Sequence, residues 1–267
     1  DFPFCLCWAN ENWTRAWDGQ SRQALMEQHY SDEDDLAHIR HLMPTLADPR
    51  YLRVNGRPML LVYRTELLPQ PRRTADLWRN EAVRAGLGDL YLVRVESFES
   101  GINPADIGFD AALEFAPDWR NVRPHKHGRR HRLAAALGLY PKGYLEHQFA
   151  EYDELVERML SKPTPEFRRI RCVSPGFDNS ARRKRDAMIF RNGTPEAYGR
   201  WLEQILRAES ARTAPEDEKL VFVNAWNEWA EGNHLEPCQR WGRAYLEAHR
   251  AARQAAGPRL RIQERLP

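Results

Sequence analysis

Six short apolar runs, at residues 2–8, 59–63, 90–95, 111–115, 170–174 and 220–225, alternate with stretches whose apolar residues recur at helical spacing. Strands that alternate with helices along one chain read as βαβ crossovers, and successive crossovers build a parallel sheet. Ser31 has the place of an N-cap before an acidic first turn, followed by Leu36, Ile39, Leu42, Met43 and Leu46 on one face. Thr74 reads as the cap of a helix carrying Leu77, Trp78, Ala82 and Val83 and ended by Gly86. Tyr152, Leu155, Val156, Met159 and Leu160 mark a third amphipathic helix. Thr194-Pro195-Glu196 opens a fourth, through Trp201, Leu202 and Ile205, and residues 242–254 form the last.

Six such units suit either a doubly wound sheet or an α/β barrel. No strand is followed by a glycine-rich phosphate loop, which weakens a nucleotide-binding reading. Polar residues gather just past the strand ends instead: Asn10 and Glu11, Arg64, Glu96 and Ser97, Asp178 and Asn179, Glu228 and Glu231. A barrel collects such residues at one mouth.

The 267 residues suffice for one large domain or two small ones, and a single barrel reaches this size. A net charge of +2 gives no global field for nucleic acid or membrane. No apolar run approaches the roughly 18 residues of a membrane span. Residues 2–8 already read as a strand with no lead-in and no Met, so a true N-terminus upstream is expected. Cys5, Cys7, Cys172 and Cys238 have no zinc spacing and read as free thiols, Cys5 and Cys7 sharing a strand face. Residues 116–150 break the rhythm, rich in Arg, His, Pro and Gly, and are expected to run as a long excursion over the barrel mouth. The expected domain is therefore 1–256, with 257–267 as a polar tail.

The chemistry concentrates in Asn224-Ala225-Trp226-Asn227-Glu228-Trp229-Ala230-Glu231-Gly232, directly after the last strand. Two carboxyls among tryptophans and asparagines suit acid/base work on a sugar, whose ring packs on aromatic faces. The plainer alternative is a solvated helix start, where carboxylates favour the dipole. Being three apart, Glu228 and Glu231 can share one side of a turn, and crowding would raise one pKa.

Cys7-Trp8-Ala9-Asn10-Glu11-Asn12-Trp13-Thr14, Gly56-Arg57-Pro58-Met59-Leu60-Leu61-Val62-Tyr63-Arg64, Pro175-Gly176-Phe177-Asp178-Asn179-Ser180-Ala181-Arg182-Arg183 and Trp226-Asn227-Glu228-Trp229-Ala230-Glu231-Gly232 resemble the WbsX-type proteins over nearly the whole chain. That family is usually called a glycosyltransferase of bacterial surface-polysaccharide gene clusters. It is similar, more distantly and mainly through Asn-Glu-Trp-x-Glu-Gly, to the endo-α-mannosidases and endo-α-mannanases of glycoside hydrolase family 99.

The resemblance implies a (β/α)8 TIM barrel of which this chain carries strands three to eight, so that an open sheet edge and low activity in isolation are expected. It also implies retaining, metal-independent cleavage or transfer of an α-mannoside-like linkage, without cofactor, in assembly or trimming of O-antigen or capsule in the cytoplasm. Glu228 matches the residue that draws the proton from the sugar 2-hydroxyl, and Glu231 the one that protonates the leaving oxygen. Ala230 stands where family 99 usually has His, a departure that bears on substrate identity.

For substrate binding the candidates are Trp8, Asn10, Glu11, Trp13, Tyr63, Arg64, Asp178, Asn179, Arg182, Asn227 and Trp229. An isolated Trp serves cores more often than sites, and Asp-Asn more often makes a turn. Arg182-Arg183-Lys184-Arg185 reads first as a solvated loop, second as a nucleic-acid patch, and third as a contact for phosphate on a lipid-linked or nucleotide-linked sugar. His125, His127 and His131 lack metal spacing and read as surface. Two alternatives stay open: a nucleotide-sugar-dependent glycosyltransferase, and a non-catalytic carbohydrate-binding barrel. No nucleic-acid partner is expected, and the oligomeric state is not readable.

Overall fold

The computed structural model describes residues 2–15, 20–125, 128–141 and 143–257. His127 and the tail from 258 lie outside the described residues. In chain order the elements are β1 (Leu6–Trp8), β2 (Trp13–Arg15), β3 (Gln20–Met26), α1 (Asp32–Leu46), β4 (Arg53–Val54), β5 (Arg57–Val62), α2 (Pro71–Arg84), β6 (Tyr91–Glu96) and β7 (Ala111–Glu114). They continue as α3 (Arg129–Ala136), α4 (Gly143–Glu146), β8 (Gln148–Glu151), α5 (Tyr152–Leu160), β9 (Arg169–Val173), β10 (Met188–Arg191), α6 (Pro195–Ala211), β11 (Val221–Val223), β12 (Asn227–Glu228), β13 (Asn233–His234) and α7 (Ala244–Ala255). None of the described helices is long and apolar enough to cross a membrane.

The six expected strands are β1, β5, β6, β7, β9 and β11, and they pair in that order, all parallel. A doubly wound sheet reverses its order at a switch point; this curled sheet advances without reversal, as a barrel wall does. Register alternates the two faces. Leu60 lies opposite Leu92 and Leu61 opposite Val93. Leu60 and Leu92 pack with Ile39, Leu46 and Trp78 of α1 and α2. Leu61, Val93 and Leu113 belong to a second core that runs on to Ile170 and to Trp201 and Ile205 of α6. Burial grades along the arc: β6 and β7 are buried throughout, whereas β1 and β11 at its two ends are only half-buried at best.

Both β-extended caps form as read. Ser31 Oγ accepts from Asp34 N at 3.1 Å, and Thr194 Oγ1 from Ala197 N at 3.2 Å. Thr74 is a correction. Pro71, with its preset φ, starts α2 a turn earlier, so Thr74 sits inside the helix and its hydroxyl donates to Asp35 Oδ2 at 2.6 Å across to α1. Val83 accordingly falls on the exposed side.

The excursion carries structure of its own, with α3, α4 and β8, and β8 pairs in parallel with β10. His125 lies half-exposed, with Nε2 3.1 Å from Glu151. Buried ion pairs tie the excursion to the sheet. Lys162 Nζ stands 3.1 Å from Glu114 and 2.7 Å from Asp118, and Arg171 Nε 2.9 Å from Glu114. Glu96, on the same face as Leu92, pairs with Arg169 Nε at 2.9 Å. Glu96 and Glu114 are thus occupied in the wall. All four cysteines are free. Burial pushes the Cys5 thiol up to about 11 and Cys172 up to about 12, so both are poor nucleophiles at neutral pH.

Candidate active site

The chain leaves β11 and forms a small hairpin. Asn227 pairs with His234 and Glu228 with Asn233, antiparallel, and a single 3-10 turn, Trp229–Glu231, spans the tip. Glu228 therefore sits on a strand arm and Glu231 on the turn, rather than both on a helix start. Gly232 closes the turn at φ 56°, and a Cβ there would stand 2.9 Å from Asp178 O. That close approach is what only glycine permits.

The hairpin is docked on the segment after β9. Asp178 N donates to Glu231 O at 2.6 Å, and Ser174 Oγ to Asn233 Oδ1 at 3.0 Å, with both Ser174 and Asn233 buried. Asn224 Nδ2 donates to Ala116 O at 2.7 Å, which joins the end of β11 to the end of β7. The hairpin that carries the carboxyls is thus held by one backbone and two side-chain hydrogen bonds among three strand ends.

Glu231 is the electrostatically distinctive group. Burial raises its carboxyl above the ordinary value, and the nearby Glu228 adds to the rise; the guanidiniums of Arg182 and Arg183 oppose it. Arg182 donates directly to Glu231 Oε1. Glu228 is exposed. The two carboxyls thus sit within reach of one another in different surroundings, the arrangement that separates an acid from a base.

Tyr63, just past β5, links this pair to a second polar group. Its hydroxyl is pushed up to about 12, mostly by burial, with Glu11 and Glu231 adding and Arg64 opposing. Arg64 Nη1 is 2.5 Å from Glu11 and Nε 2.7 Å from Glu66. Asn10 is fully buried and clamps the ends of β1 and β5: Nδ2 donates to Arg64 O at 2.8 Å, and Oδ1 accepts from Arg64 N at 2.8 Å. It therefore positions Arg64, and its amide is spent in doing so. Asn179, also buried, accepts from Met188 N at 2.9 Å and anchors its loop. Asp178 Oδ1 accepts from Ser180 N at 2.9 Å in a turn.

The tryptophans divide. Trp8 stacks on His38, with centroids 4.4 Å apart, and leans on Trp78, so its ring serves the packing of α1 and α2. Trp229 donates its indole N–H to Glu236 at 2.6 Å and stacks on His234 at 3.8 Å, with about half its surface exposed, 48%. Trp13 on β2 and Trp226 are likewise exposed. Asn227 is exposed on its hairpin arm.

Sequence reasoning passes over four residues beside these. Phe98 lies under the Arg64 guanidinium, 4.1 Å from ring centroid to Cζ, and meets Tyr63 edge-on at 6.3 Å; Phe115 meets Tyr63 at 5.8 Å. Both follow a strand end, which is the signal that could have found them. His234 and Glu236 fix the Trp229 ring, and no spacing marks them.

Similarity to known proteins bears on this geometry. The chain matches the family described as "Glycosyltransferase WbsX" over residues 1–249. It is 42% identical over 250 residues to "Uncharacterized protein WxcX" of Xanthomonas campestris pv. campestris, in each of two strains, covering 94% of this chain and 34% of the relative. The chain thus spans about a third of the length of the curated relatives it matches. Among solved structures, a "Glycoside hydrolase-like protein" superposes with a TM-score of 0.50 at 15% identity, over 83% of this chain and 60% of the other, which supports a shared fold. The GH99 endo-alpha-mannosidase from Bacteroides thetaiotaomicron gives a TM-score of 0.47 at 18% identity, over 86% and 66%. With its family match running from the opening strand into the last helix, this chain belongs to the WbsX glycosyltransferase family.

Proposed function

We propose that the chain carries the acid/base half of a carbohydrate-active site that cleaves or transfers a glycosidic bond, an α-mannoside-like linkage being the first candidate. The observation that carries the reading is the pair Glu228 and Glu231 just past β11, one exposed and one half-buried with a raised pKa. The aromatic surfaces of Trp229, Trp13 and Phe98 supply faces on which a sugar ring can rest.

In the proposed sequence Glu228 takes the proton of the sugar 2-hydroxyl. That oxygen attacks the adjacent C1 of the same sugar, opposite the leaving oxygen, as the bond from C1 to the leaving oxygen breaks, and Glu231 gives its proton to the leaving oxygen. A 1,2-anhydro sugar results. Glu231, now a carboxylate, takes a proton from water or an acceptor hydroxyl, whose oxygen bonds to C1. The C1–O2 bond breaks and O2 recovers its proton from Glu228. The anomeric configuration is retained, and no electrons are gained or lost. We assign Tyr63 and Arg64 to the approach of the sugar; in support, the Tyr63 hydroxyl feels the Glu231 carboxyl and Asn10 holds Arg64 in place. Assembly or trimming of a bacterial surface polysaccharide is the setting we propose. The half-buried edges of β1 and β11 fit an eight-strand ring in which two further parallel strands stand between them.

The test is a screen of α-linked mannosides and polysaccharide fragments with wild type and Glu231→Gln. The variant should lose turnover by roughly 10²–10⁴-fold while still binding the saccharide. Undiminished turnover ends the assignment, and release of UDP or GDP from a nucleotide sugar that persists undiminished in Glu231→Gln replaces it.

A further inference from the structure

Arg182, Arg183, Lys184 and Arg185 are four consecutive cations that begin at the contact with Glu231, and all four are exposed. Arg182 reaches Glu231. No ion pair is formed by Arg183, Lys184 or Arg185 among the described residues, although acidic groups stand close by in sequence at Asp178 and Asp186. Arg183 is also near enough to act on the Glu231 carboxyl.

The run is held rather than loose. Arg182 N and Arg183 N both donate to Asn179 O, at 3.2 and 3.1 Å, and Asn179 is itself buried and bonded to Met188. At the other end Asp186 N donates to Glu146 O at 2.7 Å. The segment between these anchors is thus presented at the rim beside the carboxyls. Four cations in a turn-and-bend segment, the first two of them acting on Glu231, gain nothing from a neutral glycan. They suit a substrate that brings concentrated negative charge.

We propose that the saccharide substrate bears a phosphate or diphosphate group, which seats on residues 182–185 with Arg182 turning from Glu231 to the phosphate. This rests on the acid/base reading of the site and names its substrate class. Guanidiniums bind phosphate oxygens in forked, charge-assisted pairs, and three unpaired cations beside Arg182 fit a dense dianion better than the single, spaced carboxylates of an acidic polysaccharide. Transfer of Arg182 to the phosphate would also remove the cation that holds the Glu231 proton affinity down, so that binding would favour the protonated acid.

The test is calorimetric titration of the 267-residue chain with inorganic pyrophosphate, UDP, farnesyl diphosphate and trigalacturonate, in wild type and in Arg183→Gln/Lys184→Gln/Arg185→Gln. Pyrophosphate should bind, with affinity weakened about tenfold or more in the triple variant and by added salt, while far-ultraviolet circular dichroism stays unchanged. Tighter binding of UDP than of pyrophosphate supports a nucleotide-linked sugar, and tighter farnesyl diphosphate a lipid-linked one. Absence of binding by all three phosphates, equal binding by the triple variant, or binding of trigalacturonate alone overturns the proposal. The Glu228→Gln/Glu231→Gln variant separates the two readings. Phosphate binding should survive in it, so a chain that binds pyrophosphate but shows no glutamate-dependent turnover sinks the acid/base reading alone.

Discussion

At the scale of single residues the decisive group is Glu231. Its raised pKa comes from burial first, then from Glu228, and Arg182 works against both. In the proposed role of acid Glu231 must hold its proton, so on that reading activity should fall as pH rises through the Glu231 pKa. Replacing Arg182 with Gln removes a cation that favours the ionised form, so the pKa rises and the alkaline limb of the kcat/KM profile should move to higher pH. A limb that moved downward or stayed in place would show that Arg182 does not face Glu231 in the working enzyme. Gly232 is equally constrained, by its left-handed φ of 56° and by the Asp178 carbonyl oxygen, which would lie 2.9 Å from any added methyl. Gly232→Ala should cost about 1–3 kcal/mol in urea unfolding and displace Glu231 as well.

At the scale of elements, the strand ends are joined by side chains rather than by the ladder. Asn10 bridges β1 to β5 through both atoms of its amide. Asn10→Ala leaves the Arg64 backbone N–H and C=O without these partners, at a cost of about 2–4 kcal/mol, and should loosen Arg64 from its place over Phe98. Equilibrium denaturation reads the first effect, and a raised KM with little change in kcat the second. The helix caps are legible in the sequence because Ser31 and Thr194 act within three residues of themselves. Thr74 is not, because Pro71 starts the helix ahead of it, and the hydroxyl of Thr74 belongs to a contact with α1 that lies 39 residues away in sequence. The strands β8 and β10 escape a sequence reading for the same reason: each is four residues long and exists only as the other's partner.

At the scale of the whole molecule, the wall of the sheet contains charge as well as hydrocarbon. Lys162 bridges Glu114 and Asp118, which also pair with Arg171 and Arg120 respectively, and Lys162 and both carboxyls are largely withdrawn from water. Burial alone would push Asp118 up, but hydrogen bonds from Arg120 and Lys162 outweigh it and hold the carboxyl below its ordinary 3.8. A depressed carboxylate contributes stability that is present above the unfolded value and is lost as pH falls through the folded one. Acid unfolding should therefore begin below about pH 4. Lys162→Met leaves two buried carboxylates underpaired, should cost about 3–5 kcal/mol, and should shift the acid midpoint upward in a circular-dichroism titration. An unchanged midpoint would mean that the pairs are solvated. The same wall is poorly covered at its two ends, where β1 and β11 keep only partial burial, and apolar strand edges of that kind seek partners.

The six parallel strands, the Ser31 and Thr194 caps and the Asn-Glu-Trp-x-Glu-Gly motif were determined by the sequence, because hydrophobic period, turn chemistry and capping act over a few residues and leave their mark locally. Only the tertiary structure decided which polar residues past the strand ends face one another. Glu96 and Glu114 share the rim pattern of Glu231, yet they are consumed by Arg169, Arg171 and Lys162. Trp8 shares the composition of Trp229, yet it packs on His38 and Trp78. What separates such twins is the face of the strand and the partner that burial brings near, and both arise from contacts between residues far apart along the chain.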